Sequence, residues 1–301
     1  MQLEEVPQPV PGRKEVLIRV KAIGINPVDA KVRAGTNRIA KNLALPAIIG
    51  WDVSGVVVAC GSGVQKWKEG DAVFGCIGFP GAGGGYATHA LAAEGSLVAK
   101  PGDLSFEAAA ALPIAGLTAY QSIHQHLNVQ PGQRVLIQAA AGGVGHLAVQ
   151  FAKHKDAVVI ATASAKNHAF LQSLGADELI DYHTTPFENA APVDAVQDAM
   201  GGTVLHRSIA CTRPGGAVVC LPSSTKDDPE ALRLARERNV RLQWPMMVAS
   251  APQLELLADL ARSGMLQVHI ETVFPFGAIA DAHRAIESGR TRGKLVVRLP
   301  D

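Results

Sequence analysis

Residues Ala139 to Gly145 read AAAGGVG, which sets Ala140, Gly142 and Gly145 in the three slots of the dinucleotide fingerprint G-x-G-x-x-G. In that fingerprint the first glycine serves a tight turn. The second lets backbone approach a pyrophosphate, and the third permits close helix–strand packing. Alanine can fill the first slot, and the two sterically stricter glycines are both present. A glycine-rich helix start that binds nothing carries the same letters, so context decides.

The context is favourable. The run RVLIQAA before the loop is a short apolar strand. GVGHLAVQFAKHK after it is a helix with an apolar face at Val144, Leu147, Ala148 and Phe151. Free N–H groups and the positive end of the helix dipole favour an anion at such a start. An NAD enzyme carries Asp or Glu about 20 residues past the loop, to hold the ribose 2′-hydroxyl. Here the next strand ends ATASAKN, with Ser164 and Lys166 and no acid. A hydroxyl and an ammonium suit the 2′-phosphate of NADP. In the alternative, Ser164 caps the next helix and Lys166 is a solvated first-turn residue.

Other reactive side chains form no obvious site. Cys60, Cys76, Cys211 and Cys220 are scattered without a C-x-x-C pair, which fits four buried thiols better than zinc or disulfides. His124 and His126 lie two apart, so on a helix they face different ways and read as a solvated helix end. His146, in the first turn after the loop, reads as a helix-surface residue.

The elements that must position the loop come in two textures. Up to about residue 105 the chain is a series of short β-rich runs (EVLIRVKAIGIN, DVSGVVVACG, DAVFGCIG) closed by glycine and proline. In the middle, strands alternate with helices, which indicates βαβ units and a parallel sheet; its wholly apolar strands fit a sheet covered on both faces. After residue 245 a helix, a strand, a helix and a last strand follow. They could extend the middle sheet or return to the first domain.

Bulk properties narrow the classes. Of 301 residues, 48% are hydrophobic and 18% charged, as in a well-cored globular protein of one large or two moderate domains. Twenty-eight basic against 27 acidic residues leave no footprint for nucleic acid or an anionic membrane. No run approaches the ~18 apolar residues of a membrane span. Residues 1–12 have neither the basic start nor the apolar core of a secretory signal, so a cytoplasmic protein is expected.

The assembled motifs closely resemble the medium-chain dehydrogenase/reductase superfamily, in its zinc-independent, quinone-oxidoreductase-like branch. They are GINPVDAKVRAG, LPAIIGWDVSGVVVACGSGV, KEGDAVFG, GGYATHA, LSFEAAAALPIAGLTAYQSI, VLIQAAAGGVGHLAVQFAK and SLGADELIDY, and together they cover essentially the whole chain. AAGGVG is a usual loop form in that branch. The resemblance implies an α/β protein. A Rossmann NADP-binding domain with a parallel sheet, over 113–245, is inserted into a GroES-like, mostly β domain over 1–112, completed by 246–301. It also implies a cleft holding NADPH, and a homodimer.

By the same resemblance, zinc enzymes of the superfamily place a cysteine where this chain has Asn26-Pro27-Val28-Asp29, and His-Glu where it has Trp51-Asp52. Asp29 and Asp52 alone are a poor zinc site, so no metal is expected. Hydride from NADPH then goes to an acceptor that needs no Lewis acid: a small hydrophobic quinone or an α,β-unsaturated carbonyl. A zinc-free enzyme of simple alcohols or aldehydes is the alternative, as is an NADPH-binding sensor or structural protein without turnover. Carried over by motif, Asn26 and Thr118 lie near the nicotinamide. Gly142, Gly143, Val144 and Gly145 hold the pyrophosphate, and Ser164, Lys166 and Tyr182 surround the adenosine phosphate. Asn26 would offer its amide to a substrate oxygen, or only shape the turn before Pro27. Tyr182 would otherwise be a core aromatic. Tyr86 and Tyr120 are candidate proton donors that more often pack than react, and the general acid is unassigned.

Overall fold

A computed structural model describes residues 1–300 and divides the chain into two compact units, Met1–Leu117 with the tail from Ala249, and Thr118–Val248. The sequence-based breaks, after residues 112 and 245, fall a few residues earlier in each case.

The first unit opens with strands β1 (Glu15–Ile25), β2 (Asp52–Cys60), β3 (Ala72–Cys76), β4 (His89–Ala93) and β5 (Leu97–Ala99). Helices α1 (Pro27–Arg33), α2 (Arg38–Lys41) and α3 (Phe106–Ala111) accompany them, and the chain passes from the first unit to the second within α4 (Pro113–Tyr120). The second unit carries β6 (Arg134–Ile137), β7 (Val158–Ala163), β8 (Glu178–Asp181), β9 (Val193–Asp198), β10 (Thr212–Cys220) and β11 (Arg241–Gln243). Its helices are α5 (Gly145–His154), α6 (His168–Ser173), α7 (Gly202–Cys211) and α8 (Pro229–Glu237). The tail adds α9 (Ala251–Arg262), β12 (Ile270–Pro275), α10 (Ile279–Glu287) and β13 (Lys294–Arg298).

The tail returns to the first unit. β13 pairs antiparallel with β1 and parallel with β12, giving a sheet of order β12-β13-β1-β2-β3-β5, with β4 also on β1. β1 is the hub of the core: Val16, Ile18, Val20, Ile23 and Ile25 join Val53, Val57 and Val297 in one cluster. Register shifts against β2 occur at Leu17/Ile18 and Val20/Ala22, and the second lets the apolar positions change from even (16, 18, 20) to odd (23, 25) while staying in the same core.

The second unit is a six-stranded parallel sheet of order β11-β10-β9-β6-β7-β8. Leu136, Val196 and Val218 pack against Leu205 and Ile209 of α7 on one face. The runs β6→α5→β7 and β9→α7→β10 cross the sheet in opposite directions, so right-handed crossovers put α5 on the other face. This is the α/β arrangement that the alternating strands and helices predict. Among the described residues no helix is long and apolar enough to cross a membrane.

Three expectations about single residues change. His124 is not part of a solvated helix end. Gln121–His126 form a π-helix, closed by Leu127 N–H on the Ser122 carbonyl at 2.8 Å, and the His124 ring stacks on Tyr120 with centroids 4.3 Å apart. Burial, with the charges of Lys155 and His154, pushes its imidazole down to about 4. His146 is buried rather than on the surface, because its Nδ1 lies 2.9 Å from the Gly142 carbonyl and donates back into the loop. Cys60 is exposed, at the end of β2, while the other three thiols are buried.

Candidate active site

In the second unit, β6 runs into the glycine-rich loop and the loop into α5. Ala139 takes the left-handed conformation (φ 51°) that starts the turn. The turn is pinned to β7 by Ala140 N–H on the Thr162 carbonyl (3.0 Å) and Ala139 N–H on Thr162 Oγ1 (3.2 Å). Thr162 in turn donates to Gln138 Oε1 at 2.7 Å, so one buried hydroxyl ties strand, loop and neighbouring strand together. A Cβ on Gly145 would stand 2.4 Å from the Ala139 carbonyl oxygen and 2.7 Å from Ala140 Cα. No side chain fits there, as close helix–strand packing at the third slot demands. A Cβ on Gly142 would meet the same oxygen at 3.2 Å, tight but not impossible. Ala140, in the first slot, is completely buried.

α5 begins with no side chain capping it. A ten-residue helix with Lys153 and His154 in its last turn thus presents first-turn N–H groups and a positive dipole end at the loop. Gly143 and Val144 lie between Gly142 and Gly145. This cradle fits a pyrophosphate.

The second cluster sits at the ends of β7 and β8. Ala163 and Asp181 are register partners, so Ser164 and Tyr182, the next residues on each strand, leave the sheet side by side. The Ser164 hydroxyl does not cap the following turn; it accepts a 3.4 Å bond from Asn167 Nδ2. Lys166 is exposed. Tyr182 is 56% exposed, which removes the core-aromatic reading, and its ring lies against His183 with centroids 4.3 Å apart. No carboxylate stands among residues 164–168. Thr118 is half-buried within α4.

Sequence reasoning missed a second ordered turn, after β9. Asp198 accepts from Met200 N–H (2.8 Å), Gly201 N–H (2.7 Å) and the Ser208 hydroxyl (2.8 Å), and both Gly201 and Gly202 have positive φ. The strand-then-DAMGG pattern was its signal. With the loop after β6, it borders the point where strand order reverses, between β9 and β6. Ligands bind at such switch points, outside the carboxyl ends of the strands.

The first unit holds the remaining candidates. Asn26 opens α1 and is only 2% exposed. Its side-chain oxygen accepts from the Lys294 ammonium and its Nδ2 donates to Asp52 at 2.9 Å. Both ends of the amide are therefore engaged inside this unit. Asp52 also accepts from Ile114 N–H at 3.1 and 3.2 Å, and Asp29 from Asn26 N–H at 2.7 Å. Burial raises Asp52 to about 6 against the pull of Lys294, Asn26 and Ile114. Burial also raises Asp29 to about 7, against the Asn26 amide and with the Asp52 charge adding to it. Asp29 Oδ1 makes no well-formed hydrogen bond. Desolvation pulls Lys294 down while the two carboxylates hold it up.

This donor set does not fit zinc. Asp52 and one oxygen of Asp29 are already engaged by protein donors, and the charge of a buried ammonium acts on both carboxylates. Among the described residues no group of three or more His, Cys, Asp or Glu could hold a metal ion. The Tyr86 hydroxyl is 2.9 Å from Nε2 of the fully buried His283. Tyr120 packs between His124 and Phe151. Both tyrosines are packed residues. Between β11 and α9, Met246 (57%) and Val248 (66%) are largely exposed.

Two family models match the chain. Residues 12–102 match the model of the alcohol dehydrogenase GroES-like domain, and 174–297 that of a zinc-binding dehydrogenase. The chain is 35% identical to a chloroplastic quinone oxidoreductase of Triphysaria versicolor, over 97% of this chain and 92% of that one. It superposes on the quinone oxidoreductase of Coxiella burnetii with a TM-score of 0.95 at 40% identity, covering 99% and 95% of the two chains. The quinone oxidoreductase of Escherichia coli, solved in complex with NADPH, gives 0.88 at 27% identity, with 98% and 94% covered.

Proposed function

Since the chain belongs to the medium-chain dehydrogenase/reductase superfamily, in its quinone-oxidoreductase-like branch, we propose that it is an NADPH-dependent reductase of quinones or of alkenes conjugated to a carbonyl, working without zinc. That it is an oxidoreductase enzyme of this type follows from the relatives; the cofactor and acceptor are the proposal. The carrying observation is the pair of strand ends at Ser164 and Tyr182, with exposed Lys166 beside them and no carboxylate to oppose a 2′-phosphate.

Each group of residues has a task in this reading. The uncapped start of α5 and the backbone of Gly142, Gly143, Val144 and Gly145 neutralise the pyrophosphate. Ser164, Lys166 and Tyr182 hold the adenosine 2′-phosphate, with the lysine as its counter-charge. Thr118 stays near the nicotinamide, as the resemblance implies. Asn26 keeps its side chain on Asp52 and Lys294, so it shapes the substrate-side unit instead of donating to a substrate oxygen. When bound, NADPH supplies the hydride. Quinones and enones delocalise the resulting charge onto oxygen, so the chain must chiefly align donor and acceptor within ~3–3.5 Å. A homodimer and a small hydrophobic acceptor belong to the same proposal, supported by the resemblance.

The test is cofactor preference with one quinone acceptor. A kcat/KM at least tenfold higher with NADPH than with NADH supports the reading. Equal or inverted preference overturns the assignment of Ser164 and Lys166.

A further inference from the structure

Gln197 is completely buried, yet neither its Nε2 nor its Oε1 has a hydrogen-bond partner. A buried amide left unpaired at both ends is costly, and a residue of similar shape without polar atoms would avoid the cost. No packing need explains an amide here. Its place in the sheet does.

Gln197 is the penultimate residue of β9, register partner of Ile137 on β6 and of Val219 on β10. Its carbonyl accepts from Gln138 N–H at 2.9 Å, where β6 gives way to the glycine-rich loop. It thus sits on the strand beside the loop, at the carboxyl edge of the switch point. Its chain neighbours face α7: Val196 packs with Leu205 and Ile209, and Asp198 bonds Ser208. Alternation turns Gln197 to the opposite face, the one α5 covers. Strands β6 to β8 carry the adenosine-side residues, so the other half of the sheet, starting at β9, serves the other mononucleotide. That mononucleotide ends in a carboxamide and a ribose, and a glutamine amide offers both a donor and an acceptor to such groups. No hydrogen bond holds the amide in its present orientation.

We propose that Gln197 is a cofactor-binding residue whose amide hydrogen-bonds the nicotinamide nucleoside end of the dinucleotide; this rests on the NADPH reading above. Binding converts an orphaned amide into a paired one, so cofactor affinity draws on a cost already present in the free protein.

The experiment compares the wild type with Gln197→Met and Gln197→Leu in two measurements. Thermal midpoints are recorded without cofactor. Dissociation constants are measured for NADPH and for adenosine 2′,5′-bisphosphate, which lacks the nicotinamide end. The expected result is an unchanged or raised midpoint, NADPH binding weakened about tenfold, and bisphosphate binding unchanged; that fold-change corresponds to about 1.4 kcal/mol. Unchanged NADPH affinity in a folded variant overturns the proposal. So does equal weakening of both ligands, or a lowered midpoint in both variants, which would mean that the amide has partners inside the free protein. A wild type that binds the bisphosphate and NADPH equally also overturns the Gln197 assignment and leaves the adenosine site standing. A wild type that binds neither ligand removes the NADPH reading itself, and this proposal with it.

Discussion

The Lys294 ammonium donates to the side-chain oxygen of Asn26, 268 positions earlier in the chain, and Asn26 passes the connection on to Asp52 through its own amide. One buried chain of contacts thereby joins the last strand, the turn before α1 and the start of β2. It also gives two buried carboxylates their only buried ammonium among the described residues.

Removing that cation should be expensive. Lys294→Met leaves Asp29 and Asp52 buried without an opposite charge, and loss of one partner from such a cluster costs about 3–5 kcal/mol. Urea unfolding at pH 8, where both carboxylates lean towards the ionised form, measures it. A loss below about 1 kcal/mol would show that water reaches the cluster.

Asp29 should make stability depend on pH in a particular direction. Its folded value, about 7, lies above the ordinary carboxylate range, because burial disfavours the charge. Folding therefore takes up a proton between about pH 4 and 7. The stability tied to the neutral form is complete below about 4 and lost as pH rises through 7. Asp29→Asn removes this dependence, so the variant should gain on the wild type as pH rises across that window. Unfolding curves at pH 4.5 and 7.5 give the comparison, and a constant difference would contradict the assignment.

Lys166→Glu should act on one cofactor only. Loss of a charge-assisted contact, about 1.5–3 kcal/mol, lowers kcat/KM for NADPH by roughly tenfold to a hundredfold, with little change for NADH. A parallel loss with both would place Lys166 away from the 2′-phosphate.

The two loop glycines should differ. Gly145→Ala puts a methyl 2.4 Å from a backbone oxygen, and backbone must shift to admit it. A cost of about 1–3 kcal/mol and weaker cofactor binding are expected. Gly142→Ala, at 3.2 Å, should be milder in stability. Thermal midpoints of the two variants rank them, and the reverse order would mean that the loop sits differently on α5.

Much of this was legible in the sequence because it rests on local pattern. The βαβ rhythm, the glycine spacing and the missing acid after β7 are each confined to one short stretch. What escaped depends on distant pairings. The tail could have joined either sheet, since strand pattern does not name a partner; β13 found β1. Asn26 read as an amide for a substrate oxygen or as a turn-former before Pro27, and nothing nearby in sequence announces Lys294. His124 read as solvated because Tyr120 and Phe151 become its neighbours only through the π-helical turn and the packing of α5. The orphaned amide of Gln197 looked like an ordinary strand position, and only burial without a partner sets it apart.

The most direct test of the account is turnover by EDTA-treated protein with NADPH, against a panel of quinones, enals and simple aldehydes. Turnover of quinones or enals that survives EDTA and is unchanged by added zinc is the expected result. Turnover of simple aldehydes alone, and only after zinc is restored, would contradict it.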